Sequence, residues 1–222
     1  MFLGHCAVGF ATKRAAPQAS LGVLVTAPYL LDLVWPIFLL AGCEEVRIEP
    51  GNTAVTPLAF VHYPISHSLA TAAGWGILFG LLYWACTRYR AGAVVIAVSV
   101  VSHWFLDAVV HRPDLPLYPG SATWIGLGLW NSLSGTLIVE GAMFVLGVWI
   151  YASMTGARDR AGRYGLWSFV VFLLLAYAAN VGGSPPPSSR SLALVGLSTW
   201  LLPLWVAWFD RHRAVKMRAA IE

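Results

Sequence analysis

Ser102-His103-Trp104-Phe105-Leu106-Asp107-Ala108-Val109-Val110-His111 closes an apolar run that begins near Ala91. On a helix, residues four apart share a face, so His103, Asp107 and His111 form one polar stripe in a segment otherwise apolar enough to cross a bilayer. Ionisable groups at membrane depth are costly and face a bundle interior or a wet cavity, which makes the stripe a functional candidate. A second cluster, His62-Tyr63-Pro64-Ile65-Ser66-His67-Ser68, stands just before another apolar run and is placed to meet the first.

The composition around these clusters sets the class. Of 222 residues 58% are hydrophobic and only 11% charged, whereas soluble domains carry about 25% charged residues. The chain therefore reads as an all-α, polytopic membrane helical bundle. Its length allows about six spans of roughly 20 residues each, and leaves no room for a second, soluble domain. Residues 1–222 are expected to form one integral membrane domain, with a metal-site half over about 1–120, further spans over 135–209 and a basic tail over 210–222. The net charge of +4 does not point to nucleic acid, because the basic residues sit in short clusters between apolar runs, where membrane orientation accounts for them. Cys6, Cys43 and Cys86 are far apart and border or lie in apolar runs, the pattern of free, buried thiols.

Residues 2–15 read as a helix too short to span a core about 30 Å thick, so they make half a hairpin that turns at Pro17. The first full span is Leu21 to Ala41, with Asp32 inside it and Pro36 offering a kink. His5 lies about 12 residues up one arm from the turn and Asp32 about 15 up the other, which brings them to similar depth. The remaining spans read as Ser68 to Cys86, Gly92 to Val110, Gly135 to Met154, Tyr164 to Val181 and Leu192 to Phe209. Two irregular segments interrupt them: a polar loop that starts at Glu44, and Arg112 to Ser132, rich in Pro, Gly and Trp, which is placed to cap a pocket at the membrane surface. No internal repeat is evident.

Orientation follows from lysine and arginine. With the N-terminal turn, the 87–90 and 155–163 loops and the tail on one side, 11 of the 14 basic residues share that side and only Arg47, Arg112 and Arg190 lie opposite. The positive-inside rule makes the basic side cytoplasmic, with both termini. Both polar clusters then lie in the outer half of the membrane, and the site faces outward.

His, Asp and Glu suit zinc and related divalent ions, and a catalytic zinc keeps an open position for a water whose acidity it raises. His103-x-x-x-Asp107 alone is weak, since an intrahelical hydrogen bond explains it equally. The addition of His5, Asp32 and His67, in a chain with six His and ten acidic residues, points to metal ligation by His5, Asp32, His67, His103 and Asp107. His62 and Glu140 are the candidate catalytic side chains. Glu140 lies about 9 Å below the outer surface, as a base or extra ligand, or else bonded to a neighbouring helix through Asn180 or Tyr177. His62 and His111 are both placed near the interface, where a solvated imidazole needs no partner.

These pieces resemble the YdjM-like family of bacterial inner-membrane, metal-dependent hydrolases, whose pattern runs Gly-His near the N-terminus, an Asp after an apolar run, His-Arg-Gly-x-Thr-His-Ser and then His-x-x-Leu-Asp. The corresponding pieces are Gly4-His5, Leu31-Asp32, His62 to Ser68 and His103-Trp104-Phe105-Leu106-Asp107; the likeness covers roughly residues 1–120. The family's link to the zinc phospholipase C and P1 nuclease group implies phosphoester hydrolysis by a small metal cluster in the bacterial inner membrane. The chain departs from the pattern at Tyr63-Pro64, in place of Arg-Gly, and at Val34, in place of a second Asp. Glu44 or Glu45 could supply that carboxylate, or belong to a solvated acidic loop. The expected function is hydrolysis of a phosphoester or other ester of an amphiphilic or lipid substrate by metal-activated water, with zinc the foremost metal. An ion, proton or metal transporter, and a non-catalytic membrane protein with a structural metal, are the alternatives.

Overall fold

A computed structural model describes residues 1–216. A short buried helix, α1 (Phe2–Thr12), turns into α2 (Leu21–Leu40). A β-hairpin, β1 (Glu45–Ile48) with β2 (Leu58–His62), leads through the single turn α3 (Pro64–His67) into α4 (Leu69–Thr87) and α5 (Arg90–Val110). A two-residue ladder, β3 (Leu115–Pro116) with β4 (Trp124–Ile125), and a 3₁₀ turn at Leu129–Asn131 precede α6 (Leu133–Met154). Strand β5 (Thr155–Ala157) follows, then α7 (Arg160–Gly182), α8 (Ser189–Ser198), α9 (Leu201–Arg211) and β6 (Arg213–Val215), which pairs back onto β5. Among the described residues, six helices are long and apolar enough to cross a membrane when α8 and α9 are taken as one broken span, and α1 is a shorter apolar helix. The protein is a polytopic membrane bundle with an N-terminal half-helix.

Side-chain caps start the long helices. The Oγ atoms of Ser20, Ser68, Ser132 and Ser188 accept amides from the first turns of α2, α4, α6 and α8, and Asp159 does the same for α7. Inside a bilayer no water can satisfy such amides. Pro28 and Pro36 sit within α2; each lacks the N–H that would bond the carbonyl four residues back.

Helix α1 lies inside the bundle, packed on α6, α2 and α5. Glycines set these approaches: a Cβ on Gly9 would fall 2.7 Å from the Val25 Cα, and one on Gly147 of α6 would fall 2.5 Å from the Ala7 carbonyl oxygen. At 11 residues and 1.5 Å per residue, α1 is about 16 Å long, so it fills only half of the bundle axis. Its last turn is fastened at the end where the basic loops gather. There Lys13 Nζ donates to Asp210 Oδ2 (2.9 Å) and the Ala19 carbonyl (2.8 Å), while Asp210 also accepts from Leu21 N and Tyr151 Oη. Its first turn points to the opposite, hairpin end.

Three sequence expectations change. The polar loop after Glu44 is a hairpin. The 155–163 segment is tied to the C-terminal strand, and the part of the basic tail beyond residue 216 lies outside the described residues. All three cysteines are free, but only Cys6 is buried; Cys43 and Cys86 are exposed, at the ends of α2 and α4.

Candidate metal centre

The upper end of α1, the middle of α2, the turn α3 and the last two turns of α5 meet at one point. There the His5, His67, His103 and His111 Nε2 atoms face the carboxylates of Asp32 and Asp107. Asp107 Oδ1 lies 3.0 Å from His5, and its Oδ2 lies 2.9 Å from His103 and 3.8 Å from both His67 and His111. Asp32 Oδ1 lies 3.4 Å from His67 and 3.8 Å from His103, and its Oδ2 lies 3.8 Å from His5. The Met1 amino group reaches Asp107 Oδ1 at 2.5 Å. The four imidazoles and Asp107 are buried, whereas the Asp32 side chain is 37% exposed.

The tautomers can be read from the partners on the far side of the rings. His103 Nδ1 lies 2.7 Å from the Pro28 carbonyl oxygen, which can only accept, so Nδ1 carries the proton. The Ser66 hydroxyl has one proton and donates it to Glu44 Oε2 at 2.7 Å; His67 Nδ1, 2.6 Å away, must therefore donate to Ser66. His111 Nδ1 donates to Asp114 Oδ1 at 2.9 Å, and Tyr63 Oη donates to the same oxygen at 2.7 Å. Burial, with the Asp114 carboxylate beside it, holds the Tyr63 hydroxyl well above its ordinary pKa, so it remains a donor.

Neutral rings with Nδ1–H present bare lone pairs at Nε2. Three such lone pairs, on His67, His103 and His111, point at anionic oxygens, an arrangement that repels unless a cation lies between them. A second proton on a ring would also relieve it, as an ion pair, but His5 and His103 cannot both take one at little cost. His5 and His103 stack in parallel at 3.9 Å, and two imidazolium charges that close would repel by about 4 kcal/mol at an effective dielectric constant of 20. Two sets of donor atoms each lie within 4.8 Å of one another: His5, His103 and Asp107, and Asp32, His67 and His103. Ligands held tetrahedrally at zinc distances sit about 3.3 Å apart, inside the observed spread. The donor set of imidazole and carboxylate fits zinc and its neighbours. Because Asp107 turns one oxygen to His5 and the other to His103, a single carboxylate can serve two adjacent ions.

All five side chains expected as ligands from the sequence are brought together here, and His111 joins them. His62 is not: it ends β2 opposite Glu45 and is exposed, so it takes no part in the cluster. Glu140 is buried, but its Oε2 accepts the Leu3 amide at 2.6 Å and the Gly4 amide at 3.4 Å. It caps α1, using its negative charge at the positive end of that helix, and so fixes the height of His5. Glu44 is neither a ligand nor solvated. It is buried and accepts from Ile65 N, Ser66 N and Ser66 Oγ, which shapes the α3 turn and orients His67. Asp114 and Ser66 were missed as orienting groups; the three-residue step from His111 to Asp114 and the adjacency of Ser66 and His67 were the available signals.

The Ser66 link has a measurable effect. Outer-sphere partners of metal-bound histidines are worth roughly 10–100-fold in metal affinity, so Ser66→Ala should weaken binding by that factor in a chelator-competition titration. Ser66→Thr, which keeps the hydroxyl, should recover most of it. An unchanged affinity in Ser66→Ala would remove the relay from the design of the site.

Comparison with family models, curated proteins and solved structures finds no match for this chain.

Proposed function

We propose that the protein is a membrane-embedded, metal-dependent hydrolase of the kind its sequence resembles, cleaving a phosphoester or other ester of an amphiphilic substrate. One observation carries the reading: imidazole lone pairs, fixed by Pro28, Ser66 and Asp114, converge on two carboxylates at membrane depth. A purely structural metal is served by a closed site, whereas a catalytic one keeps an approach from outside. Here Asp32 provides it, as the exposed member of an otherwise buried set.

A bound divalent ion, zinc foremost, would supply a Lewis acid and a water acidified toward neutrality. Pro28, Ser66 and Asp114 keep the Nε2 atoms of His103, His67 and His111 unprotonated, and His5, Asp32 and Asp107 complete the set around them. Glu140 sets the depth of α1, and Asp32 meets the incoming ester at the open edge. The 11 to 3 partition of basic residues supports an outward-facing site in a bacterial inner membrane, with the basic loops cytoplasmic.

The test is a screen of phosphodiester, phosphomonoester and carboxylester amphiphiles with detergent-purified protein, before and after chelation and re-addition of zinc. Hydrolysis that disappears on chelation, returns with zinc and is absent in His103→Ala is the expected result. Stoichiometric metal with no hydrolysis of any class would favour the structural-metal alternative.

A further inference from the structure

We propose that the indole N–H of Trp35 is the donor that receives a phosphoryl oxygen of the substrate at the metal centre. The inference rests on the hydrolase reading and narrows its substrate class from esters in general to phosphoesters.

The buried polar atoms show which donor is left for a ligand. Among the described residues, four buried side-chain atoms have no hydrogen-bond partner: His5 Nδ1, His103 Nε2, Trp35 Nε1 and Tyr177 Oη. The first two belong to imidazoles of the centre itself. The ring of Tyr177 packs on Phe2, whereas that of Trp35 meets the His67 ring nearly at right angles, their centroids 6.1 Å apart. Trp35 also follows Asp32 by three residues in α2, a spacing that puts their Cβ atoms about 5–6 Å apart on one face. The indole therefore stands one turn from the exposed carboxylate at the open edge of the centre.

An indole N–H can only donate, and when buried it normally finds an acceptor. Three other indoles of the chain do so: Trp75 donates to the Ile65 carbonyl, Trp104 to that of Pro116 and Trp200 to that of Leu33. Trp35 is only 9% exposed and leaves its N–H unused, a cost in stability that a purely structural core side chain would avoid. The ring is held from one side by Phe60, with centroids 5.6 Å apart.

The other donors near the centre are committed. Arg47 and Arg112 are engaged at the hairpin, with Glu45 and the Asn52 carbonyl. The hydroxyls of Ser66 and Tyr63 go to Glu44 and Asp114. A phosphoester brings anionic oxygens in its ground state, and a donor facing one makes a charge-assisted bond. A carboxylic ester offers only a neutral carbonyl before attack.

The experiment follows the indole N–H signals of the full, zinc-loaded chain, labelled with 15N-tryptophan in detergent micelles. The probes are inorganic phosphate and a short-chain phosphonate analogue of a phospholipid. The Trp35 signal is the one lost in both Trp35→Phe and Trp35→Tyr. It should move downfield further than those of the other ten of the 11 tryptophans, and Trp35→Phe should bind the probe roughly tenfold or more weakly with metal content unchanged. Movement at lower concentrations of the phosphonate lipid than of phosphate assigns the group to a lipid, and the reverse order to a water-borne phosphoester. A Trp35 signal unmoved by both probes, or equal affinity in Trp35→Phe, would overturn the inference. Chelator-sensitive hydrolysis retained in that case would leave the hydrolase standing without this donor, whereas a moving signal with no hydrolysis of any ester would keep the donor and remove the hydrolase.

Discussion

Asp107→Asn should leave the bundle folded and strip it of stoichiometric metal. Asp107 approaches all four imidazoles of the cluster, one oxygen serving His5 and the other His67, His103 and His111. The amide keeps the volume of the carboxylate but loses its charge, and it places an N–H₂ group where one of two ligand oxygens stood. The loss should exceed the roughly 10–100-fold expected for an outer partner such as Ser66. Metal analysis of detergent-purified protein reads it directly. His212→Ala is the control, because His212 pairs with Asp159 at the basic end, away from the centre. Full metal occupancy in both Asp107→Asn and Asp107→Ala would rule out the centre described above.

Asp210→Ala should be the most destabilising single change at the other end of α1. The Asp210 carboxylate receives Lys13, Leu21 N and Tyr151 at once, and Lys13 and Asp210 are both largely buried. Removing one partner of a buried pair costs about 3–5 kcal/mol, because the remaining charge is left uncompensated. On the scale that relates stability to melting temperature for chains of this length, the thermal midpoint should fall by on the order of 10 °C. Lys13→Met combined with Asp210→Asn removes both charges and keeps an acceptor for Leu21 and Tyr151, so most of the loss should be recovered. A melting curve unchanged in Asp210→Ala would show that the pair contributes no net stability.

The spans were legible because lipid imposes a coarse rule on sequence: runs of about 20 apolar residues bounded by turn signals. The convergence of His103 with Asp107 followed from helical spacing, and that of His5 with Asp32 from equal arm lengths about Pro17. What spacing could not decide was which of two interfacial histidines turns inward. His62 and His111 differ in their surroundings, not in their local sequence: His62 ends a strand, exposed, while His111 is held by Asp114 under Phe60 and Trp130. Glu44 and Glu140 were ambiguous for a related reason. Their roles depend on backbone amides 21 and 137 residues away, and a carboxylate that caps a turn looks, in sequence, like one that binds metal or water. The hairpin was hidden because its strands are short and its one buried β1 residue, Val46, gives no alternation to read.

The fastening of α1 at both ends leads to an expectation about the order of events during synthesis. Its first amides are satisfied by Glu140 and its final lysine by Asp210, residues that follow every metal-binding side chain in the sequence. A nascent chain that ends after α5 would carry His5, Asp32, His67, His103, Asp107 and His111, yet its opening helix would hold an unneutralised lysine and uncapped amides in lipid. The centre is therefore expected to gather after the last span has entered the bilayer, and a chain truncated before α9 should hold less metal than the full-length protein.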